Sequence, residues 1–389
     1  MVTMTSADKA LKSLYLGVVT EQLNTGINPF LAKINKSTSD VWGKEIRKVA
    51  QYGINGGIGA GTEDGDLPSA SGNNYEQFVL TLKNLYGKIE ISDKAVRASE
   101  NNVGAFVNLL NAEMEGLIKA STFNFGRMLF GDGSGKLANI EMISDGYCYV
   151  TNTKNLIEGM LVDVYNGDGT KVLSSKKLTA INRKDSYITV QASDEDIAKI
   201  NYGDAFITLQ GSYQQEITGL SAIFKDSGSI YGLNRNENPW LIPHIQTAVG
   251  ELTELDIQSA IDYLEESAGS NVDMIICSSG VKRAFQKHLS TYKRNLDVME
   301  LEGGYKTLSY NGIPIVSDRF CPKGTMYLLN SKDFTLHQLC DWEWLEGEDG
   351  RILKQNSNKP TYSATLVKYA DLICSKPCGQ AMLTGITEA

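Results

Sequence analysis

The sequence predicts an α+β fold with an N-terminal arm, an extended β-hairpin loop, a long helix and a small all-β insertion. Three patterns support this prediction. A glycine-rich segment at 53–74 lies between two strand-like stretches, apolar residues recur at helical spacing over 101–130, and short strand patterns occupy 147–209. The extended parts are too long for one small domain to cover, which indicates contact with neighbouring subunits.

The first 43 residues predict an arm. A capping-box pattern begins at Thr5, and Leu14 and Tyr15 belong to the apolar face of the short helix that follows. Residues 24–41 mix polar residues with Gly and Pro and have few periodic apolar positions. Such an extended segment needs another surface to lie against.

The next segment, residues 44–92, predicts an extended loop made of two long strands. The second strand pattern runs without interruption over 75–91 and would extend on the order of 55 Å at about 3.3 Å per residue. Exposed strands of that length would favour aggregation in a monomer, so we expect neighbouring subunits to cover them. The glycines between the strands predict hinges at Gly53, Gly56, Gly57, Gly59 and Gly61, with a merely disordered loop as the alternative.

The rest of the chain divides into three further parts. Cap residues at 99–102 precede a helix over 101–130, which stops at a glycine-rich turn. Short strands with an Asn-Gly hairpin signal at 166–169 predict an all-β insertion domain over 141–213. An α/β section follows, with helices at 254–267 and 280–289 and a buried strand at 273–277, before a strand-rich end.

No motif predicts chemistry, so we expect no catalytic, cofactor-binding or metal-binding residues. The sequence from Gly131 to Lys136 lacks the spacing of a phosphate-binding loop and follows its helix instead of preceding one. The three histidines lie far apart without zinc-site spacing, and Cys374 and Cys378 form only a weak pair.

Bulk composition narrows the classes of protein further. The 389 residues carry a net charge of -9, which disfavours a broad grip on nucleic acid. Six scattered cysteines are too few for a disulfide scaffold, so reduced and mostly buried thiols are expected. No stretch approaches the roughly 20 apolar residues of a membrane span, and no membrane partner is expected.

The order of these elements resembles the major capsid proteins of tailed bacteriophages (Caudoviricetes), whose fold is named after phage Hong Kong 97. The resemblance covers nearly the whole chain and includes the helix end from Leu129 to Gly135. It implies an arm, an extended loop, a peripheral domain with a spine helix, an insertion domain and an axial domain. The implied ranges are 1–43 for the arm, 44–92 for the loop, 93–140 and 337–376 for the peripheral domain, 101–130 for its spine helix, 141–213 for the insertion, and 214–336 and 377–389 for the axial domain.

The resemblance also implies a function, which is self-assembly through pentamers and hexamers into an icosahedral shell around a double-stranded DNA genome. The expected location is the virion, after assembly in the host bacterial cytoplasm. Expected partners are other copies of the chain, a separate scaffolding protein, a portal protein and packaged DNA held by weak non-specific contact. Decoration proteins are a further partner that the residues leave open. Lys83 and Lys88 resemble crosslink donors, but residues 365–372 lack the glutamate of crosslinked relatives, so a non-covalent shell is expected.

Apolar residues of the arm and loop are the predicted inter-subunit contacts. They are Leu14, Tyr15, Phe30, Trp42, Phe78, Leu80, Leu82 and Tyr86. Two alternatives remain open at the level of sequence. An encapsulin-like nanocompartment shell would share the fold and enclose a cargo enzyme, and a hydrolase built on the α/β section would need a convergent site that the sequence does not display.

Overall fold

The structure is a computed structural model that describes residues 28–39, 41, 45–94, 103–292, 298–300, 306–347 and 350–389. Its helices are α1 Pro29–Lys33, α2 Val103–Met128, α3 Asp194–Ile197, α4 Leu220–Ile223, α5 Glu254–Ala268 and α6 Ser279–Tyr292. Its first strands are β1 Asn35–Ser37, β2 Ile46–Tyr52, β3 Asn74–Leu80, β4 Lys83–Ser92, β5 Lys136–Ser144, β6 Tyr147–Val150, β7 Leu161–Tyr165, β8 Lys171–Asn182, β9 Tyr187–Val190, β10 Phe206–Leu209, β11 Ser229–Ile230 and β12 Leu233–Asn234. The remaining strands are β13 His244–Gln246, β14 Met274–Cys277, β15 Val298–Glu300, β16 Lys306–Tyr310, β17 Ile313–Ser317, β18 Met326–Leu329, β19 Phe334–Trp344, β20 Lys354–Gln355, β21 Thr361–Cys374 and β22 Ala381–Leu383.

The peripheral sheet has the strand order β1-β19-β21-β20, and β4 pairs with the free side of β21. The β4 ladder runs antiparallel from Lys83 opposite Ala370 to Ser92 opposite Thr361. The long helix α2 packs against β4, and its buried residues include Met114 and Ile118. Because they are four residues apart, they lie on one face of the helix, and this spacing allowed the helix to be predicted from the sequence.

The insertion is a closed barrel with the strand order β10-β5-β6-β9-β8-β7. Alternate residues of its strands point inward, and Ile140, Val164 and Ile188 are fully buried in its interior. The barrel begins at Lys136, which is earlier than the predicted boundary at 141. The early start follows from the helix stop, because the glycine turn after α2 leads straight into the first barrel strand.

The axial sheet has the strand order β13-β22-β18-β14-β17-β16-β15. Its central strand β14 is buried on both faces, since Ile276 packs into the same core as the peripheral sheet whereas Ile275 and Cys277 pack beneath α5 and α6. Helix α5 begins with a capping box between Thr253 and Asp256. The axial domain therefore shares one core with the rest of the chain and keeps a second core under its two helices.

Two strand predictions were wrong in their extent. The pattern predicted as one uninterrupted strand over 75–91 breaks at Thr81 and Leu82, because β3 pairs with β2 whereas β4 pairs with β21. The sequence pattern predicts a short strand from Trp342 to Leu345, whereas β19 starts at Phe334 and has 11 residues. Both errors have the same cause, since the partner strand determines where a strand bends or ends and periodicity alone does not identify that partner.

Candidate inter-subunit surfaces

The base of the extended loop is fixed to the body of the chain. Strands β2 and β3 form an antiparallel hairpin, and aromatic rings from the segment after the barrel hold it. The Tyr52 ring stacks on Trp240 with centroids 5.0 Å apart and an interplanar angle of 2°. Phe78 lies 5.1 Å from the ring of Tyr231, and the Val79 amide donates a hydrogen bond to the Tyr231 carbonyl at 2.9 Å.

Tyr231 also ties this hairpin to the peripheral sheet. Its hydroxyl donates to the carbonyl oxygen of Leu372 at 3.2 Å and accepts from the Cys374 amide at 2.9 Å. Burial raises the pKa of this phenol well above its ordinary range, so it stays protonated as a hydrogen-bond donor. The loop up to Tyr52 is therefore anchored to the peripheral sheet.

Beyond Tyr52 the loop projects from the body as a narrow tip, residues 53–73. Nearly every residue of the tip is exposed, including Ile54 at 67%, Ile58 at 73% and Leu67 at 91%. The two limbs of the tip lie side by side, since a Cβ atom added at Gly59 would come within 2.9 Å of the Pro68 ring. The tip thus presents apolar side chains that its own chain does not cover.

The five predicted hinge glycines all lie in this tip. Gly53 has a φ of 63°, a left-handed conformation that favours glycine, and it directly follows the clamped residue Tyr52. Gly57 comes close to the other limb, because an added Cβ would approach the backbone nitrogen of Ser71 to 3.1 Å. The backbone conformation therefore favours glycine at Gly53, and close packing leaves little room for a side chain at Gly57. The role of the five glycines as hinges stays a prediction.

The predicted contact residues divide between interior and surface. Phe30, Phe78 and Leu80 are 0%, 1% and 3% exposed, so the prediction that these side chains meet a neighbouring subunit is wrong for this conformation. They contribute instead to the chain's own core. Leu82 is half-buried against that core, whereas Tyr86 is 61% exposed and stands edge-on to Tyr369. Leu14, Tyr15 and Trp42 lie outside the described residues.

The described part of the arm is integral to the peripheral core, which corrects the expectation of an extended segment there. Residues Pro29–Lys33 form a helical turn, and the Asn28 side chain caps it by accepting from the Leu31 amide at 3.1 Å. The Phe30 ring meets Phe334 edge-on at 5.3 Å, and β1 adds to β19 as a parallel strand. Few apolar residues suffice here because Phe30, Leu31 and Ile34 are all buried in this core.

A buried ion pair joins α2 to the segment that returns from the barrel. The Arg127 guanidinium donates to both carboxylate oxygens of Glu216, with a distance of 2.9 Å for one of them, and the two side chains are 4% and 2% exposed. Asn124 accepts two further hydrogen bonds from the same guanidinium. The fork geometry of arginine satisfies the pair away from water, so the segment is held firmly at the end of the helix.

Asp371 holds the same segment from the other side. Its carboxylate accepts from the Thr218 amide at 2.6 Å and from the Leu372 amide at 2.8 Å. Burial raises the pKa of Asp371 to about 6, although these hydrogen bonds oppose the shift. The carboxylate therefore connects β21 to the segment that follows the barrel through hydrogen bonds.

A second buried charge on β21 belongs to Lys368, which is 2% exposed. Its ammonium donates to Asp341 at 2.6 Å and to Gln338 at 2.7 Å. Burial lowers the pKa of Lys368, and the nearby Asp341 opposes that shift. The sequence analysis did not predict the roles of Arg127, Glu216, Lys368 and Asp371. A charged residue inside an apolar strand or helix pattern was the signal that could have indicated a buried charge.

All six cysteines are free and either buried or half-buried, which agrees with the predicted burial of most thiols. Burial raises the pKa of Cys148 to about 11 and that of Cys277 to about 12, so neither thiol is activated for nucleophilic attack. Within the described ranges, no group of three or more His, Cys, Asp or Glu side chains is placed to hold a metal ion. No described helix is long and apolar enough to cross a membrane.

Comparison with known proteins gives two findings that bear on identity. Residues 206–349 match the family model described as SU10 major capsid protein. The capsid protein of cyanophage A-1(L) has the same fold, with a TM-score of 0.57 at 13% identity over 93% of each chain. The chain is therefore similar to tailed-phage major capsid proteins in part of its sequence and shares their fold. The predicted α+β capsid fold is thereby confirmed.

Two further solved structures are similar to this chain over most of their length. The capsid protein of Myoviridae phage XM1 is 10% identical over 92% of each chain with a TM-score of 0.47. An encapsulin from Synechococcus elongatus is 10% identical over 95% of each chain with a TM-score of 0.46. Both scores are too low to establish a shared fold by themselves. No curated protein matches the chain, and the family match favours a phage capsid over a nanocompartment.

Proposed function

We propose that this capsid protein assembles with copies of itself, through pentamers and hexamers, into an icosahedral shell that encloses a double-stranded DNA genome. Assembly takes place in the cytoplasm of the host bacterium, and the finished shell is part of the virion. The proposed role is structural and involves no catalysed reaction.

The projecting tip of the extended loop carries this proposal. Ile54, Ile58 and Leu67 are exposed in the isolated chain. The base of the loop is held in place because Tyr52 stacks on Trp240 and Phe78 packs on Tyr231. Full burial of one such aliphatic side chain contributes about 1.5–3 kcal/mol. A rigid base with an apolar tip suits a loop that lies on a neighbouring subunit, and many such weak contacts add up in a closed shell.

The ranges of the parts follow the resemblance, with the arm at 1–43 and the loop at 44–92, except that the insertion begins at Lys136 instead of 141 and extends to 213. In this proposal the axial domain, 214–336 and 377–389, meets its copies around the symmetry axes. The peripheral domain, 93–135 and 337–376, joins adjacent rings. The docking of Phe30 and Ile34 inside their own chain restricts the proposed reach of the arm to residues that precede them.

The further partners of the shell are proposed from the same resemblance. A separate scaffolding protein would guide assembly, and a portal protein would occupy one vertex. Decoration proteins would be further partners that bind the finished shell. The net charge of -9 supports only weak, sequence-independent contact with packaged DNA.

The test is electron microscopy and size-exclusion chromatography of the chain expressed alone and with its neighbouring genes. We expect wild type to form closed or tubular particles or discrete rings, and Ile58→Ser with Leu67→Ser to remain as soluble smaller species with unchanged unfolding. Tyr202→Ser on the barrel is the matched control, because Tyr202 is also exposed, at 59%, but lies outside the loop. A wild-type monomer under every condition, or normal shells from the loop variant, contradicts the proposal. DNA inside native particles, in place of a protein cargo, separates a phage shell from a nanocompartment.

A further inference from the structure

The two helices of the axial domain carry opposite charges. Helix α5 contains five acidic residues and no Lys or Arg, and its acidic residues are Glu254, Asp256, Asp262, Glu265 and Glu266. Helix α6 contains three cationic residues and no Asp or Glu, and its cations are Lys282, Arg283 and Lys287. One domain thus carries an acidic helix and a basic helix.

These helices lie on the same face of the axial sheet but over different strands. Both contribute to the core that contains Ile275 and Phe285. Helix α5 packs against β22, whereas α6 packs against β17, and β18 and β14 lie between those two strands in the sheet. The acidic and basic surfaces therefore occupy separate positions on the domain.

The exposed face of α5 combines charge with apolar surface. Leu255 is 79% exposed and Tyr263 is 49% exposed, and Asp262 and Glu266 are exposed beside them. Together with Gln258 and Ser259 they line a shallow surface groove. Positions 255, 259, 262 and 266 recur at helical spacing, so they form one stripe along the helix. An exposed aromatic and a leucine between carboxylates have the composition of a contact surface.

The exposed face of α6 is formed by Arg283 and Lys287, which lie one turn apart on the helix. Lys282 is half-buried and donates to the Thr307 hydroxyl at 2.9 Å, so it belongs to the domain interior. The Arg283 guanidinium reaches the backbone carbonyl of Ala389 at 2.7 Å with its Nε atom, which fixes the side chain at the surface.

We propose that the acidic face of α5, centred on Leu255, Asp262 and Glu266, docks on the basic face of α6, centred on Arg283 and Lys287, of the next subunit in a ring. The inference rests on the proposed assembly and names the surfaces that hold one ring together. A contact between two different surfaces of identical chains is head-to-tail, and such contacts generate closed rings when the rotation closes.

Charge complementarity identifies a second copy of this chain as the occupant. A nucleic acid would be repelled by the five carboxylates of α5, and two exposed cations on α6 are few for a phosphate backbone. Opposite charges in one chain instead ensure that each copy carries both halves of the contact. Complementary charge sets the register of the subunits, and the apolar pair of Leu255 and Tyr263 supplies area to bury.

The test compares three full-length variants with wild type by size-exclusion chromatography with light scattering and by electron microscopy. The first reverses α5 with Asp262→Lys and Glu266→Lys, and the second reverses α6 with Arg283→Glu and Lys287→Glu. The control reverses Lys177→Glu and Lys184→Glu, two exposed lysines of the barrel. Thermal unfolding of each variant establishes that it is folded.

We expect either helix reversal alone to weaken ring formation by about tenfold or more, because like charges then face each other across the contact. The control should form rings as wild type does. Mixing the two helix variants should restore association, because the basic α5 of one variant meets the acidic α6 of the other. Strict alternation is possible in a six-membered ring and impossible in a five-membered one, so the mixture should give hexamers without pentamers.

The outcomes separate the pairing from the proposed function. Wild-type rings together with unaffected helix variants overturn the pairing and leave the shell function intact. Reversal that weakens rings without rescue on mixing also overturns the pairing. Absence of rings and particles from wild type overturns the shell function and the pairing with it.

Discussion

Replacing Phe30 by alanine tests whether the described part of the arm stabilises its own chain or a neighbour. The side chain is 0% exposed, and its ring contacts Phe334 at 5.3 Å and Phe130 at 6.4 Å. Truncating a buried phenylalanine to alanine costs about 3–5 kcal/mol. Because whole domains are stable by only about 5–15 kcal/mol, the expected loss is a large fraction of the stability of the unassembled subunit.

The assay is urea unfolding of unassembled subunits, followed by tryptophan fluorescence. Trp342 and Trp344 are 5% and 4% exposed and lie in the same core as Phe30, so their emission reports the unfolding of that core. The free energy of unfolding typically falls by about 1–3 kcal/mol per molar urea, so the midpoint of the unfolding transition should fall by about 1–2 M or more.

Tyr86→Ala is the matched comparison, because it also removes an aromatic ring from a predicted contact residue, but at 61% exposure. We expect it to leave the urea midpoint almost unchanged and to affect assembled particles alone. An unchanged midpoint for Phe30→Ala, combined with defective shells, would refute the reasoning and place this arm segment on a neighbouring subunit.

Three further predictions concern the junctions and the loop. Arg127→Met leaves the buried Glu216 carboxylate without its partner and should cost about 3–5 kcal/mol in urea unfolding, with part of that loss recovered when Glu216→Leu is added. The Asp371 carboxyl has a pKa of about 6 in the folded chain, compared with an ordinary value of 3.8. Its contribution to the free energy of unfolding is therefore fully present below pH 3.8 and is lost as pH rises through about 6. Asp371→Asn should therefore abolish this part of the pH dependence of unfolding between about pH 4 and 6, and an unchanged pH profile contradicts the assignment. Gly53→Ala places a side chain at a φ of 63° at a cost of about 1–2 kcal/mol and should reduce the yield of closed particles, whereas Gly72→Ala, which meets open space, should not.

Elements that depend on local pattern were predictable from the sequence. The short strands predicted within 147–209 are present in the structure and include Tyr147–Val150, Leu161–Tyr165 and Tyr187–Val190. They were predictable because alternating residues face the closed barrel interior. The long helix was predictable for a similar reason, since Met114 and Ile118 repeat at the helical period and are buried.

The candidate surfaces were less predictable because they depend on contacts between distant parts of the chain. The sequence pattern around Phe78 and Leu80 is typical of an exposed hairpin. In the structure both side chains are buried in the same core as Tyr231 and Leu241, and the Phe78 ring contacts Tyr231. Arg127 and Glu216 are 89 positions apart, and no local spacing relates them. Sequence reasoning placed the loop correctly as an extended feature but could not tell its buried base from its exposed tip.

The sequence by itself determined the kinds and order of elements, because periodicity, caps and turn residues act within a few positions of one another. The tertiary structure alone decided which strand pairs with which, where the strand after the loop bends at Thr81, and which apolar side chains remain uncovered. Those features depend on burial against residues tens to hundreds of positions away, such as Tyr231 against Leu372. The side chains that the chain's own fold leaves exposed are the ones available to contact neighbouring subunits in the proposed shell.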